Sequence, residues 1–156
     1  MSASDRLAAL GLELPEVATP VGTYVPAKRH GDLIYSSGQL PIVDGALVAH
    51  GTVGSREGDV TPDRAVECAR VAALNALAAV AQAAGGLDSI QGILRVTGYV
   101  ASAPGFTAQP AVVNGASGLL ADVFGEGGRH ARSAVGVTAL PLGAPVEIEI
   151  VAIARD

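Results

Sequence analysis

The sequence predicts an α+β fold in which one β-sheet carries two main helices on one of its faces. The first helix has a well-formed start in Thr-Pro-Asp at residues 61–63 and an end at the Gly-Gly pair of residues 85–86. The second helix ends at Phe124 and begins near residue 107 or 110. Strand patterns around these helices give the order β-hairpin, helix, strand, helix and two strands, which is typical of helices layered on one sheet face.

The strands are predicted from side chains that alternate between two faces and from the turn signals between them. Asp44-Gly45 is a strong hairpin signal, so residues 40–43 should pair with residues 46–48. Because the sheet face away from the helices would also be rich in apolar residues, we expect another subunit to cover it. The further strands are expected at residues 23–27, 33–37, 93–102 and 146–152.

The last part of the chain, residues 130–153, is predicted to form two short strands joined by a Leu-Pro turn. Arg132 lies at the start of the first strand, and alternation places Glu147 and Glu149 on one face of the second. A poorly solvated carboxylate near a guanidinium could hold an anionic ligand and transfer a proton. The pattern alone favours a solvent-exposed edge strand for the glutamates and leaves a surface salt bridge open for Arg132.

The first 20 residues are predicted to be an N-terminal extension of a single domain that spans residues 1–156. Ser4 can cap a short helix over residues 5–10, which Gly11 would end. Prolines interrupt the segment that follows, so we expect this helix to be an appendage to the sheet.

The composition argues against several classes of protein. Of the 156 residues, 49% are hydrophobic and 16% are charged, which argues against disorder. The net charge of −5 argues against a nucleic-acid binder, because a phosphate backbone requires a positive field. The longest apolar region is interrupted by Asn75 and Gln82 and is too short for a membrane span. The N-terminus lacks a secretory pattern, so we expect a cytoplasmic protein.

Cysteine and histidine usage predicts neither a metal site nor a cofactor. Cys68 is the single cysteine, and a lone thiol in an apolar run is more typical of a core than of a nucleophile. The three histidines are scattered without zinc-ligand spacing, and phosphate-loop and dinucleotide-binding patterns do not occur. The remaining candidates for chemistry are Arg132, Glu149, the loop at residues 37–38 and Tyr24.

Four segments and one helix carry a resemblance to a known family. The segments are PVGTYVP at 20–26, IYSSGQLP at 34–41, ARSAVGVTALP at 131–141 and VEIEIVAIA at 146–154, and the helix contains Asn114. Together they resemble the Rid (RidA/YjgF) family of reactive intermediate deaminases, also called the endoribonuclease L-PSP family, over about residues 21–154. The resemblance implies a chorismate mutase-like fold with a mixed sheet. It also implies a homotrimer whose ligand clefts lie between neighbouring subunits.

The resemblance further implies a site and a reaction. Arg132 would grip the carboxylate of a 2-imino or enamine acid, and Glu149 would position the hydrolytic water. Water would attack the imine carbon, ammonia would leave, and a 2-oxo acid would be released with no cofactor and no metal. Tyr24 would come from the adjoining subunit. The residues implied to line the cleft are Gly38 and Ala134 through their backbone, and Tyr24, Ser37 and Asn114.

Several positions depart from the family pattern. His130 stands where family members usually have proline, Ala134 where they often have cysteine, and Thr23 replaces a common proline. With the N-terminal helix and a longer turn at residues 142–145, these departures place the chain in a divergent branch whose physiological substrate stays open. The alternative function is a non-catalytic trimer that binds a small carboxylate as a sensor or carrier. Ribonuclease activity is a third reading, which the acidic balance and the lack of paired histidines disfavour.

Overall fold

The computed structural model describes residues 1–155, which form a five-stranded sheet, a two-stranded hairpin and three α-helices. The predicted α+β fold is confirmed, and the two long helices lie at the predicted positions. The elements in chain order are α1 (Ala3–Ala9), β1 (Ala27–His30), β2 (Leu33–Ser36), β3 (Ile42–Val43), β4 (Ala46–Leu47), α2 (Pro62–Ala84), β5 (Ile90–Ala101), α3 (Gln109–Phe124), β6 (Ala131–Val137) and β7 (Val146–Ala154).

The first long helix, α2, begins and ends at the predicted signals. The Thr61 side chain accepts a hydrogen bond from the backbone N–H of Arg64. Gly85 ends the helix with a φ of 88°, a left-handed conformation that glycine adopts without strain. By length and composition alone α2 could cross a membrane, and 61% of its apolar stretch is buried inside the fold. Packing in the core therefore accounts for the apolar character of this helix.

The second long helix, α3, packs against α2 at a point that requires glycine. A Cβ atom on Gly115 would collide with the backbone oxygen of Val66 on α2, so only glycine allows this approach. At Gly115 the close neighbour of α3 is therefore a helix and not the sheet. The sheet approaches α3 elsewhere, because a Cβ atom on Gly98 of β5 would collide with the side chain of Val113. These two close approaches hold α3 against both α2 and β5.

The sheet is mixed, with the strand order β1-β2-β7-β5-β6. β5 and β6 run parallel, whereas the other neighbours run antiparallel. β6 and β7 follow one another in the chain but lie on either side of β5, so the Leu-Pro segment between them crosses over rather than forming a tight hairpin. The register pairs Arg132 with Val96 and Glu149 with Thr97, which are successive residues of β5.

The two faces of the sheet have different environments. Val96 and Ile148 point towards the helices and are fully buried. On β7 the positions between the buried ones, from residue 147 to residue 153, are partly buried on the opposite face, which confirms the predicted alternation. Tyr35 and Val135 also lie on this open face and are 49% and 43% exposed. The open face therefore combines two carboxylates with exposed apolar groups.

The first strand begins later than the sequence predicted. It covers Ala27–His30 rather than residues 23–27. The segment before it bends and is held by a hydrogen bond of 2.7 Å from Ser37 Oγ to the carbonyl of Val25, which replaces strand pairing there. The predicted hairpin across Asp44-Gly45 is confirmed as the pair β3–β4.

The N-terminal helix also differs from its prediction. Its cap is Ser2 rather than Ser4, because Ser2 and Asp5 exchange hydrogen bonds in a reciprocal capping box. The backbone N–H of Ser4 instead donates to Asp88 at 2.9 Å, in the turn before β5. The side chain of Leu7 is only 4% exposed and belongs to the main core. The helix is therefore a packed part of the fold and not an appendage.

Candidate functional site

Arg132 lies on β6, at one edge of the sheet, and its side chain points towards α3. Its Nη1 donates to Asn114 Oδ1 at 2.8 Å and to Ser117 Oγ at 3.1 Å. Its Nη2 donates to the carbonyl of Pro110 at 3.3 Å. The orientation follows from the register, because the partner of Arg132 on β5 is the buried Val96. The structure thus brings together two of the predicted site residues, Arg132 and Asn114.

Ala134 lies two residues further along β6 and therefore on the same face as Arg132. Its partner on β5 is Gly98, the residue that lets α3 approach the sheet. Ala134 packs against the main core while its strand stays at the sheet edge. One half of the candidate site is accordingly built from the start of β6 and the exposed side of α3.

Glu147 and Glu149 lie on β7 and project from the open face of the sheet. The hydroxyl of Tyr99, on β5, donates to Glu149 Oε1 at 3.2 Å. Burial, followed by the nearby Glu149 carboxylate, raises the pKa of Tyr99, so the phenol keeps its proton for this bond. Burial also raises the pKa of Glu147, and the like charge of Glu149 raises it further. The open face therefore holds two neighbouring carboxylates, and the pKa of one of them, Glu147, is raised.

Gly38 lies directly against Glu147. A Cβ atom at this position would collide with the carboxylate of Glu147, so glycine is what admits the acid here. The contact is fixed by a backbone bridge in which Gln39 and Ile148 exchange hydrogen bonds of 2.8 and 2.9 Å. The predicted backbone position Gly38 thus meets a glutamate of β7, namely Glu147.

Ser37 and Tyr24 lie in the loop region before this bridge. The hydroxyl of Ser37 is used to hold the carbonyl of Val25 and so positions the segment that carries Tyr24. The Tyr24 side chain is 55% exposed, and its ring lies beside Gly22. Tyr24 is therefore presented outward from the chain that carries it.

Arg132 and Glu149 lie on opposite faces of the sheet. Their partners, Val96 and Thr97, are successive residues of β5, and successive side chains of a strand point in opposite directions. Their strands are also separated by β5, which places the two backbones about 10 Å apart. The sequence could not have predicted this, because it does not reveal which strand lies between β6 and β7. The two side chains therefore do not share one face of a single chain.

The sequence-based prediction of the site missed three residues of this region, namely Glu147, Tyr99 and Ser117. Glu147 belongs to the same alternating pattern as Glu149, so the pattern could have suggested both. Ser117 lies three residues after Asn114 and hence on the same side of α3, a spacing that was visible in the sequence. Tyr99 depends on the pairing of β5 with β7, which carries no local signal.

The fold makes this an α+β protein with a mixed sheet, and comparison with known proteins identifies its family. Residues 4–152 match the family described as "YjgF/chorismate mutase-like, putative endoribonuclease". The chain belongs to this YjgF/chorismate mutase-like family, as its sequence motifs predicted.

Individual relatives are similar over nearly the whole chain. Protein TCP17 of Trypanosoma cruzi is 41% identical over 152 residues, which cover 94% of this chain and 93% of that protein. The crystal structure of Atu1372 from Agrobacterium tumefaciens, a protein of unknown function, is 42% identical, with a TM-score of 0.88 over 98% of this chain and 92% of that one. A "putative endoribonuclease" from Shewanella oneidensis is 36% identical, with a TM-score of 0.92 over 98% and 99% of the two chains.

Proposed function

We propose that the protein is a hydrolytic deaminase of small reactive 2-imino or enamine acids, giving a 2-oxo acid and ammonia. The observation that carries the proposal is the division of polar groups between two surfaces of one chain. Arg132 stands with Asn114 at the β6 edge, and the two carboxylates of β7 stand on the open face. When the two surfaces belong to neighbouring copies, they supply the anion-binding and proton-transfer groups that this reaction requires.

The assembly that joins these surfaces is proposed to be a homotrimer with its clefts between subunits. The exposed apolar side chains of Tyr35 and Val135 lie on the same face as the carboxylates, and burying them would stabilise an interface. Tyr24 is presented outward and would reach the cleft of the adjoining subunit. A closed ring of identical contacts repeats the cleft at each interface.

The chemistry follows from the roles of the two halves. The guanidinium of Arg132 pairs with the substrate carboxylate and orients the C2=N bond. A carboxylate of the Glu147–Glu149 pair accepts a proton from water as its oxygen bonds to C2. The proton is then returned to the nitrogen, which gives the carbinolamine. The hydroxyl proton of the carbinolamine passes through the same carboxylate to the nitrogen as the C–N bond breaks, so ammonia leaves and the 2-oxo acid forms. The raised pKa of Glu147 suits a group that holds a proton between these steps.

The test generates the unstable substrate in place. An amino-acid oxidase releases 2-iminobutanoate from its amino acid, and the protein should raise the rate of 2-oxobutyrate and ammonia formation above the spontaneous rate. Arg132→Ala should abolish this increase. Arg129→Ala is the matched control, because Arg129 lies three residues away in an exposed ion pair with Glu126. An Arg132→Ala protein that is folded and fully active would refute the proposal.

The same assay separates the alternative functions. A non-catalytic carboxylate binder would gain thermal stability from 2-oxobutyrate, and would lose that gain in Arg132→Ala, without accelerating imine hydrolysis. A ribonuclease would cleave RNA after repeated purification, with an activity that does not depend on Arg132. The net charge of −5 and the carboxylates on the open face weigh against a phosphate-backbone substrate.

A further inference from the structure

We infer that Ser117 and His130 are positioning residues for Arg132, acting through a directional chain of hydrogen bonds that starts at the Gly128 carbonyl. The inference rests on the proposed function, since it concerns how the guanidinium is presented to a carboxylate. Its evidence is a set of three contacts that run from the turn before β6, through α3, to Arg132.

The direction of each bond follows from donor and acceptor chemistry. His130 Nδ1 lies 2.6 Å from the carbonyl oxygen of Gly128, which can only accept, so Nδ1 carries the proton. In the neutral ring Nε2 is then bare, and it lies 2.9 Å from Ser117 Oγ. The Ser117 hydroxyl donates its single proton to Nε2. Its oxygen remains free to accept from Arg132 Nη1 at 3.1 Å.

The Gly128 end of this series of hydrogen bonds is held in place by close packing. A Cβ atom on Gly128 would collide with the backbone oxygen of Leu120, so the turn after α3 lies tightly on the last turns of that helix. Gly128 is buried, and its carbonyl is therefore a fixed acceptor for the His130 ring. Because Ser117 stands on α3 itself and the Gly128 turn packs on α3, the same helix holds both groups in place.

The consequence is that two of the five guanidinium N–H groups stay available. The two Nη1 protons go to Asn114 and Ser117, and one Nη2 proton goes to the Pro110 carbonyl. Among the residues that the structure describes, this leaves Nε–H and one Nη2–H without an acceptor. Two donors on one guanidinium match the two oxygens of a carboxylate. Without Ser117, one Nη1 proton loses its acceptor and the guanidinium is less restricted in orientation.

The first experiment measures binding and turnover in matched variants. Ser117→Ala should raise the Kd for 2-oxobutyrate and the KM for 2-iminobutanoate about tenfold, with kcat within about twofold, because orientation of the carboxylate is lost from ground and transition states alike. His130→Phe should behave similarly. His130→Gln should bind 2-oxobutyrate about as tightly as the unmodified protein, since the amide oxygen of glutamine can accept from Ser117. Unchanged Kd and KM in Ser117→Ala would overturn the inference.

The control is Ser102→Ala, which removes a comparable hydroxyl that follows β5 and contacts Gln109, the first residue of α3. Ser102 Oγ donates to the Val100 carbonyl and accepts from Gln109, with no contact to Arg132. Its Kd and KM should match those of the unmodified protein. If Ser102→Ala and Ser117→Ala weaken binding equally, general loosening of α3 explains the effect and the positioning role is refuted.

A spectroscopic measurement keeps the inference testable even if the proposed function fails. Nitrogen NMR of the ¹⁵N-labelled protein at pH 8 should show His130 with its proton on Nδ1, and Ser117→Ala should shift the Nε2 signal. A proton on Nε2, or no response to Ser117→Ala, would overturn the chain of bonds. Absence of both 2-oxobutyrate binding and imine hydrolysis, with the expected His130 signals, would instead refute only the proposed function.

Discussion

Arg132 and Glu149 face away from each other across a single strand, because their partners Val96 and Thr97 are neighbours on β5. The same sheet therefore presents a cation-bearing edge beside α3 and a carboxylate-bearing open face. We propose that a site shared between chains allows these two residues to act on the same small molecule. It can be tested by mixing chains that each lack one of the two residues.

Mixing two inactive variants should restore activity. An Arg132→Ala chain keeps its glutamates, and a Glu149→Gln chain keeps its arginine, so an interface that takes one intact half from each is complete. If chains mix at random in equal amounts, about a quarter of the interfaces combine both intact halves. We therefore expect about a quarter of the unmodified activity after co-refolding, measured with in situ 2-iminobutanoate.

The control for this experiment is each variant refolded alone, which should stay inactive. The same mixture combined without unfolding should also stay inactive if the assembly exchanges subunits slowly. Complete inactivity of the co-refolded mixture, with hybrid oligomers demonstrated by mass spectrometry, would show that the two residues do not share an intersubunit site.

Glu147 should make stability depend on pH. Its folded-state pKa is raised above the ordinary value of 4.5, so the folded protein retains a proton that the unfolded chain releases. The stability that is linked to this retained proton is fully present below pH 4.5 and is lost as the pH rises through the folded-state pKa of Glu147. Glu147→Gln should match the unmodified protein below pH 4.5 and exceed its Tm increasingly above that pH.

The comparison uses Glu126→Gln as the control, because the Glu126 side chain is 84% exposed in a surface ion pair. Thermal unfolding of the three proteins is followed from pH 4 to pH 8. A Tm difference between Glu147→Gln and the unmodified protein that shrinks towards pH 8 would contradict the burial of this carboxyl.

Gly38→Ala should reduce deaminase activity more than it reduces stability. The new methyl group would occupy the space of the Glu147 carboxylate, which is the end of a flexible side chain and can turn away. We expect a loss of activity of about tenfold or more, with a Tm change of only a few degrees. Gly118→Ala is the control, because a Cβ atom there meets nothing within 4 Å. Retention of full activity in Gly38→Ala would remove Glu147 from the proposed chemistry.

The two glycines of α3 should respond in opposite ways to substitution by alanine. Gly118→Ala should stabilise the protein by about 1 kcal/mol through helix propensity alone. Gly115→Ala should destabilise it by about 1–3 kcal/mol, because its methyl group would collide with the backbone of Val66. Denaturant unfolding measures both free energies. Equal effects of the two substitutions would mean that α2 and α3 do not approach as described.

The N-terminal helix should contribute to stability through Leu7. Its side chain is buried in the main core, so Leu7→Ala should lower the free energy of unfolding by about 2–5 kcal/mol. Leu10→Ala is the control, because Leu10 is 39% exposed and its truncation should cost less than about 1 kcal/mol. If both substitutions have the same small effect, the helix is not docked in solution.

Local features of the chain were predictable because their physical causes are local. The Thr61 cap, the Gly85 stop and the Asp44-Gly45 turn each depend on a few neighbouring residues, and the alternation along β7 depends on strand geometry alone. The N-terminal cap was misplaced because two serines could serve, and the reciprocal capping box of Ser2 with Asp5 selects Ser2. The family was also recognisable from motifs in the chain.

The sequence by itself determined the two long helices, the alternation along β7 and the family, but only the tertiary structure decided which residues meet. The insertion of β5 between β6 and β7 separates Arg132 from Glu149. The backbone bridge between Gln39 and Ile148 places Gly38 against Glu147. Strand order and register arise from packing between segments that are distant in the chain. No periodicity within one segment encodes them, so the composition of the site emerged only when the segments were placed in space.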